Sequence, residues 1–346
     1  MYMSFGTRVI FALIMWSISG SSFAQKSGMS FPGISGPYLG QTPPGTTPEI
    51  FAPGIVSTGL NTRDIAISKD GDEIYFGVTD GGISAIFVTR RVDDRWTEPV
   101  IAPFSGKGYL DLEPHISPEG NKFFFLSNRP PAGKEPRIGW YHQNIWMMKS
   151  AAYGWSEPQL VEEPISTDEK EFYPSVTRAN VLYFTRQTKD GTVRIFRSKF
   201  ENCRFRQPEM LPFEIPEKGL LFNAFISPRE DYLITCALNI DSTNVDSDYY
   251  ISFKKANDEW SELKRFGPAI NTPGDNATSA YVSPDGKYLF FSSSRKDPSR
   301  SEFRSGTTLR AMVNSKSEPG YGSSAIYWVD AAIIAEMKQK ALNAEQ

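Results

Sequence analysis

A short phrase recurs five times along this chain and constrains its fold more than any other feature. The clearest copies run from Ser283 to Arg295 (SPDGKYLFFSSSR) and from Ser117 to Arg129 (SPEGNKFFFLSNR). Weaker copies begin at Ser68, Thr177 and Ser227, and successive starts lie 49, 60, 50 and 56 residues apart. The turn closes a hairpin and the aromatic run suits a buried strand. Hairpin repeats of this length are typical of propeller blades.

The sequence therefore predicts an all-β fold, a single β-propeller of five four-stranded blades, with six blades as the alternative. Each copy continues into a third strand and then a short outer strand near an aromatic residue, as at Trp96 and Trp155. The fifth copy lacks an outer strand, because the chain becomes helical after Asp330. Residues 47–51 resemble an outer strand, so we expect the N-terminal part of the propeller to complete the fifth blade.

The repeats resemble the TolB-like, WD40-like β-propeller family of bacterial envelope proteins. The resemblance rests on residues 283–295, 320–327 and 155–158, and it extends over about residues 47–330. It implies the propeller fold and an exported protein, but propellers include enzymes, binding proteins and scaffolds alike. The third and fourth copies replace the Pro-Asp-Gly turn, which leaves open whether their hairpins have the same form.

The ends of the chain have different compositions. Residues 1–24 have the pattern of a secretory signal with cleavage after Ala24, and their apolar run is too short to span a bilayer. They predict a periplasmic or secreted protein without membrane insertion. Residues 25–46 are rich in Gly and Pro and predict a flexible leader, residues 47–330 the propeller, and residues 331–346 a C-terminal helix.

Charge, cysteines and histidines exclude several classes of site. The net charge of −3 argues against nucleic acid as a partner. We expect a monomer in which Cys203 and Cys236, which lie in different repeats, stay unpaired. Two histidines, His115 and His142, are too few and too poorly spaced to indicate a metal site, and the acidic loop 241–248 lacks the pattern of a calcium loop. We therefore predict no metal or other cofactor.

Charged residues recur where inner strands begin and second strands end, which is one face of a propeller. The long loops 130–142, 239–248 and 296–323 belong to the same face. Loops on a rigid scaffold often carry binding sites. The candidate ligand-binding residues are Glu113, His115, Arg129, Arg186, Asn223 and Arg295. Alternatively, these charges form ion pairs inside each blade, as between Glu113 and Arg129.

We predict a non-enzymatic protein that binds a protein or an envelope polysaccharide through this loop-bearing face. The alternative is a carbohydrate-active enzyme, glycosidase-like or lyase-like, that uses Asp64, Glu113 and Glu171. These carboxylates begin the inner strands of three consecutive repeats, where five-bladed glycosidases carry theirs. A metal-dependent lyase would need more histidines than this chain has, and the nucleophile motifs of hydrolases do not occur.

Overall fold

The structure, a computed structural model, describes residues 31–241, 246–296 and 305–344. The chain divides into a short unit, Met1–Pro32, and a unit that carries the fold, Gly33–Gln346. The predicted signal segment 1–24 and parts of the predicted loops 239–248 and 296–323 lie outside the described residues. In the part of the chain that is described, no helix has the length and apolar character needed to cross a membrane.

Five antiparallel sheets form the blades, which confirms the predicted five-bladed propeller. Strand β1 (Glu49–Ile50) precedes the first blade, which contains β2 (Asn61–Ile67), β3 (Glu73–Asp80), β4 (Ile83–Val92), β5 (Arg95–Trp96) and β6 (Val100–Ile101). The second contains β7 (Asp111–Ile116), β8 (Lys122–Ser127), β9 (Asn144–Ala151), β10 (Gly154–Trp155) and β11 (Gln159–Leu160). The third contains β12 (Lys170–Val176), β13 (Val181–Gln187), β14 (Val193–Glu201), β15 (Arg204–Phe205) and β16 (Glu209–Met210).

The fourth blade contains β17 (Leu220–Ile226), β18 (Tyr232–Leu238), β19 (Asp248–Phe253) and β20 (Lys264–Arg265). The fifth contains β21 (Ala280–Val282), β22 (Tyr288–Ser293) and β23 (Ala325–Asp330). Helix α1 (Leu309–Lys316) lies in the long connection between β22 and β23, and helix α2 (Ala332–Ala344) follows the last strand. The C-terminal helix was therefore predicted correctly, and it buries Ile334 and Met337 as part of its apolar stripe.

The fifth blade is completed by β1, which pairs with β23 through Glu49↔Trp328 and Ile50↔Tyr327. The closure predicted from the missing outer strand is confirmed. The described part of the predicted leader also makes contacts. The Trp96 backbone N–H donates to Ile34 O at 2.8 Å, and the Tyr38 ring lies edge-on to Tyr288 at 5.1 Å. Residues 34–46 therefore join the first blade to the fifth.

The inner hairpins have one turn geometry in all five blades. The fourth turn residue has a positive φ whether it is glycine, as in Gly120 (75°) and Gly286 (74°), or not, as in Asn180 (59°) and Glu230 (61°). In each hairpin its N–H donates to the carbonyl three residues earlier, at 2.7 to 3.0 Å. The third and fourth repeats thus depart from the motif in sequence but retain its backbone form, with some strain at the non-glycine positions.

The core lies between neighbouring blades, and aromatic residues dominate it. Tyr75 of the first blade lies 4.9 Å from Phe123 of the second, and its hydroxyl accepts a hydrogen bond from Trp155 Nε1 at 3.0 Å. Such contacts bury large apolar areas, so the packing of one blade on the next depends on how well these side chains fit together. The cysteines play no part in joining blades, since Cys203 is an exposed free thiol and Cys236 a buried one.

Candidate functional site

Four of the inner strands have a β-bulge where they line the propeller axis. In β2, β7, β12 and β17 the register shifts by one residue at a position with positive φ: Asp64 (50°), Glu113 (59°), Tyr173 (52°) and Asn223 (53°). Residues other than glycine rarely adopt this left-handed backbone conformation, and the strain it causes often marks a functional residue. Here the hydrogen bonds of the bulges supply a structural reason for it.

Each bulge directs a backbone N–H out of its own sheet and toward the preceding blade. The acceptors are Ser279 Oγ for Asp64 (3.0 Å), Asp64 Oδ2 for Glu113 (3.3 Å), Glu113 Oε2 for Tyr173 (2.7 Å) and Thr185 Oγ1 for Asn223 (2.8 Å). A bulge leaves an N–H unpaired in the ladder, and a buried unpaired N–H is costly. These bonds satisfy it and connect the blades in sequence.

The two axial carboxylates share one arginine. Arg63 lies 3.0 Å from Asp64 and 3.0 Å from Glu113, and both acids are buried. Burial raises the pKa of Glu113 to about 7 despite the attraction of Arg63, and the charge of Asp64 adds to the increase. The cavity beside them measures only about 10 Å³. That volume is close to the minimum for one water molecule.

His115 is held in the same ring as a neutral imidazole. Its Nε2 accepts a hydrogen bond from the Val176 backbone N–H at 3.0 Å, which fixes the proton on Nδ1. Burial lowers the pKa of His115 to about 4. Tyr173 crosses the axis, where its hydroxyl donates to Ala280 O at 3.0 Å. Three of the predicted ligand-binding residues, Glu113, His115 and Asn223, therefore lie at the axis and bond to groups inside the protein, while Asn223 Oδ1 has no partner among the described residues.

The three other predicted residues form ion pairs within their blades. Arg186 lies 3.0 Å from Glu171, and Arg295 lies 3.8 Å from Asp275. Arg129 pairs with Asp111 and also donates to Phe104 O at 2.6 Å. In these three blades the acid lies at or before the start of the inner strand, and the arginine lies at or just after the end of the second strand. The guanidinium groups, of which those of Arg129 and Arg186 are buried, fasten the incoming chain to the hairpin.

The predicted pair of Glu113 with Arg129 is wrong in its partners, although the pairing of charges within blades is correct. The bulge between Leu112 and His115 turns Glu113 to the axis, where it meets Arg63, and leaves Asp111 for Arg129. Among the three acids of the catalytic alternative, only Asp64 and Glu113 line the axial cavity. Glu171 is fully buried and binds the Thr167 hydroxyl at 2.6 Å and Arg186.

An open groove of about 630 Å³ lies on the loop-bearing face, between the second and third blades. One wall is the loop between β8 and β9, which includes Trp140 and Tyr141. The other wall consists of residues 167–170 at the start of β12, together with Lys189. The sequence predicted the loop as part of the binding face but did not single out its side chains. The available signal in the sequence was that Trp140 and Tyr141 are adjacent aromatic residues in a loop, where no strand core requires them.

Internal contacts fix the shape of this loop. Asn128 Nδ2 donates to Gly139 O at 2.9 Å, and His142 Nε2 lies 3.0 Å from Glu135 O. Lys134 lies 3.8 Å from Asp168 on the opposite wall. The groove therefore has two walls that are held relative to one another.

The groove is lined mainly by polar and aromatic side chains, and Pro131 is the one aliphatic residue among those described. Trp140 is half-buried and Tyr141 is 63% exposed. Asn144, 3% exposed, also lines the groove, and its Oδ1 has no hydrogen-bond partner in the described parts of the chain. A buried acceptor without a partner is costly unless water or a ligand donates to it.

Comparisons with known proteins find only distant similarity, and only among solved structures. No protein-family model and no curated protein sequence matches the chain. Among solved structures, TolB from Acinetobacter baumannii is 14% identical with a TM-score of 0.46, over 79% of this chain and 57% of that one. A putative TolB from Agrobacterium tumefaciens is 12% identical with a TM-score of 0.45, over 78% of this chain and 90% of that one.

A thermostable family-43 glycoside hydrolase is equally similar, at 14% identity and a TM-score of 0.45, over 79% of this chain and 89% of that one. The chain thus spans little more than half of the Acinetobacter TolB. Likeness at this level, with TM-scores below 0.5, assigns neither a fold nor a role to this chain. The function has to be argued from the site itself.

Proposed function

We propose that this propeller is a saccharide-binding protein, which holds its ligand in the groove between the second and third blades without cleaving it. The observation that carries the proposal is the lining of the groove. Two aromatic residues, Trp140 and Tyr141, stand among polar side chains on the loop-bearing face. The apolar C–H faces of sugar rings pack on aromatic rings, while their hydroxyl groups need donors and acceptors nearby.

The groove offers both kinds of contact. Asn144 Oδ1 is an unpaired acceptor suited to a sugar hydroxyl, and Gln143 and Thr167 add neutral polar groups. The volume, about 630 Å³, is within the range of about 300–1,000 Å³ typical of ligand sites. A protein partner would usually place apolar anchor residues in apolar pockets, for which this lining offers Pro131 alone among aliphatic residues.

Binding without cleavage is supported by the state of the carboxylates. A glycosidase needs two of them beside the scissile bond, one of which is a general acid kept protonated by its surroundings. At the axis, the cavity beside Asp64 and Glu113 is too small for a sugar ring. In the groove, Asp168 lies 3.8 Å from Lys134 and Glu169 lies 3.7 Å from Arg186, so both acids of the third-blade wall have a cation beside them.

The location and the oligomeric state follow from the sequence alone and stay predictions. Export by the segment 1–24 would bring the protein to the periplasm or the exterior, where envelope polysaccharides are found. We expect a monomer, because the groove is formed by two blades of one chain.

Calorimetric titration with a panel of polysaccharides tests the proposal, with Trp140→Ala as the test variant. We expect Trp140→Ala to weaken binding at least tenfold while the melting temperature stays within a few degrees. Tyr153→Ala is the matched control, because Tyr153 is a fully exposed tyrosine of the same blade outside the groove. Equal affinity of the two variants would contradict the proposal. Release of new reducing ends, abolished by Asp64→Asn or Glu171→Gln, would instead establish the catalytic alternative.

A further inference from the structure

We infer that the saccharide bound in this groove is acidic, with carboxylate groups held by cationic side chains on both walls. This inference rests on the proposed function and deepens it by naming the class of ligand. The residues that carry it are Arg137 on the second-blade wall and Lys170 and Lys189 on the third-blade wall. None of them was singled out by the sequence.

These three cations differ from the other basic residues around them. Arg129 and Arg186 on the same face are paired with buried acids, and Lys134 is paired across the groove with Asp168. Arg137, Lys170 and Lys189 make no ion pair with any residue in the described ranges. Since the chain as a whole carries a net charge of −3, a local excess of cations is not a consequence of composition.

The acids in the groove do not cancel this excess. Asp168 and Glu169 each have a cation within 4 Å, at Lys134 and Arg186. Glu135 is the one acid of the lining that has no such partner among the described residues. Because Arg186 also pairs with Glu171, five cations in and beside the groove (Lys134, Arg137, Lys170, Arg186 and Lys189) face four acids (Glu135, Asp168, Glu169 and Glu171). The excess of one positive charge, with cations on both walls, attracts an opposite charge between them.

The placement of each cation suits a carboxylate. The Arg137 guanidinium lies over the Tyr141 ring, 5.3 Å from its centre. Stacking of this kind orients the planar group, whose N–H edge can then bind a carboxylate through two parallel hydrogen bonds. Lys170 pairs in register with Gln187, and Lys189 follows two residues later. Both lysines therefore stand at the same edge of the third blade.

A saccharide fits these observations better than an acidic peptide. The positive groups stand beside Trp140 and Tyr141 and beside the unpaired Asn144 Oδ1, so charge, aromatic surface and hydroxyl acceptor meet in one groove. Every unit of a uronic acid chain presents the three matching groups: a carboxylate for the cations, an apolar ring face for the aromatic residues, and hydroxyl groups for the acceptor. A peptide rich in Asp and Glu supplies the charge without the rings.

A polyuronate and its methyl-esterified form differ in charge and by one methyl group per sugar unit, and they provide the decisive comparison. In isothermal titration at low salt we expect the free acid to bind at least tenfold more tightly than the ester, and added salt to reduce the difference. In Lys170→Gln/Lys189→Gln we expect this preference to disappear while binding of the ester is unchanged. Lys287→Gln, in a hairpin on the opposite face, removes a distant charge and should keep the preference.

The outcomes separate this inference from the proposed function. If the ester and a neutral glucan bind as tightly as the free acid, and Trp140→Ala weakens all of them, the groove binds saccharides but the inference is wrong. Equal binding of polyglutamate and polyuronate would show that charge alone is recognised, which also overturns it. A sulfated glucan that binds more tightly than the polyuronate would reject carboxylate as the preferred anion. If no saccharide binds, the proposed function itself fails.

Discussion

The axis and the groove of this propeller contain similar residues in opposite states. At the axis Arg63, Asp64 and Glu113 are buried, paired and packed around a cavity of about 10 Å³. In the groove Arg137 and Lys170 face solvent beside a volume of about 630 Å³ and have no acidic partner among the described residues. Charged residues near a propeller mouth are therefore weak evidence for a site. Charged residues without partners are stronger evidence.

Backbone strain, like charge, is also weak evidence for a ligand site at the axis. Backbone in the left-handed region often marks function, and four such residues encircle the axis here. Each of their N–H groups is used to bind the blade before it. Strain at this axis belongs to the assembly of the ring, so it does not by itself locate a ligand.

The largest expected effect is on closure, on which both regions depend. A chain that begins at residue 53 would lack β1 and the fully buried Phe51, leaving β23 with an unpaired edge. We expect a loss of at least 10 °C in melting temperature by calorimetry, or no cooperative transition. A chain that begins at residue 33 keeps these contacts and is the control. Equal melting temperatures of the two would contradict the closure.

Two cations of the loop-bearing face provide a direct contrast in stability. Arg129→Ala leaves Asp111 buried without its partner and should lower the free energy of unfolding by about 3–5 kcal/mol. Lys170→Ala removes an unpaired cation and should change it by about 0.5 kcal/mol or less. Urea denaturation of both variants measures the difference. Similar losses would show that the groove cations are structural after all.

A smaller, pH-dependent effect is expected from His115. The folded state holds its pKa at about 4, below the ordinary 6.5, so the unfolded chain binds the proton more readily. Its contribution is complete above about pH 6.5 and declines as the pH falls toward 4. Gln at this position can accept the Val176 hydrogen bond but cannot titrate.

Urea denaturation at pH 7 and at pH 4.5 therefore compares the wild type with His115→Gln. We expect the wild type to lose about 2–3 kcal/mol more than the variant over this interval. The carboxyl groups titrate in both proteins, so the difference isolates the imidazole. Parallel losses would mean that this histidine is not held neutral by the fold.

The sequence was sufficient for the features that depend on local pattern. The recurring turn predicted the inner hairpins, and it left open the form of the two in which Asn180 and Glu230 replace glycine; the structure gives these two the same form. The missing outer strand after Asp330 predicted the pairing of β1 with β23, because a closed ring has to use every edge. Trp155, one of the aromatic residues that recur near the outer strands, bonds to Tyr75 of the neighbouring blade.

Partner choice was beyond the reach of the sequence. A single-residue bulge decides whether Glu113 meets Arg129 or Arg63, and nothing in the local pattern of β7 reveals that shift. The groove depends on how an irregular loop folds back, through contacts such as Asn128 with Gly139, onto a turn of the next blade. Lys170 and Arg137 are far apart in the chain, and only the tertiary structure brings them to one groove.

The pairing of Ile50 with Tyr327 also determines when, during synthesis, the fifth blade can be completed. A ribosome releases residue 50 long before residue 327, so four blades can form while the fifth still awaits its inner strands. A message truncated anywhere before β23 would yield a ring with a permanent gap and an exposed sheet edge. The last blade can therefore be completed only after the chain has been made as far as β23.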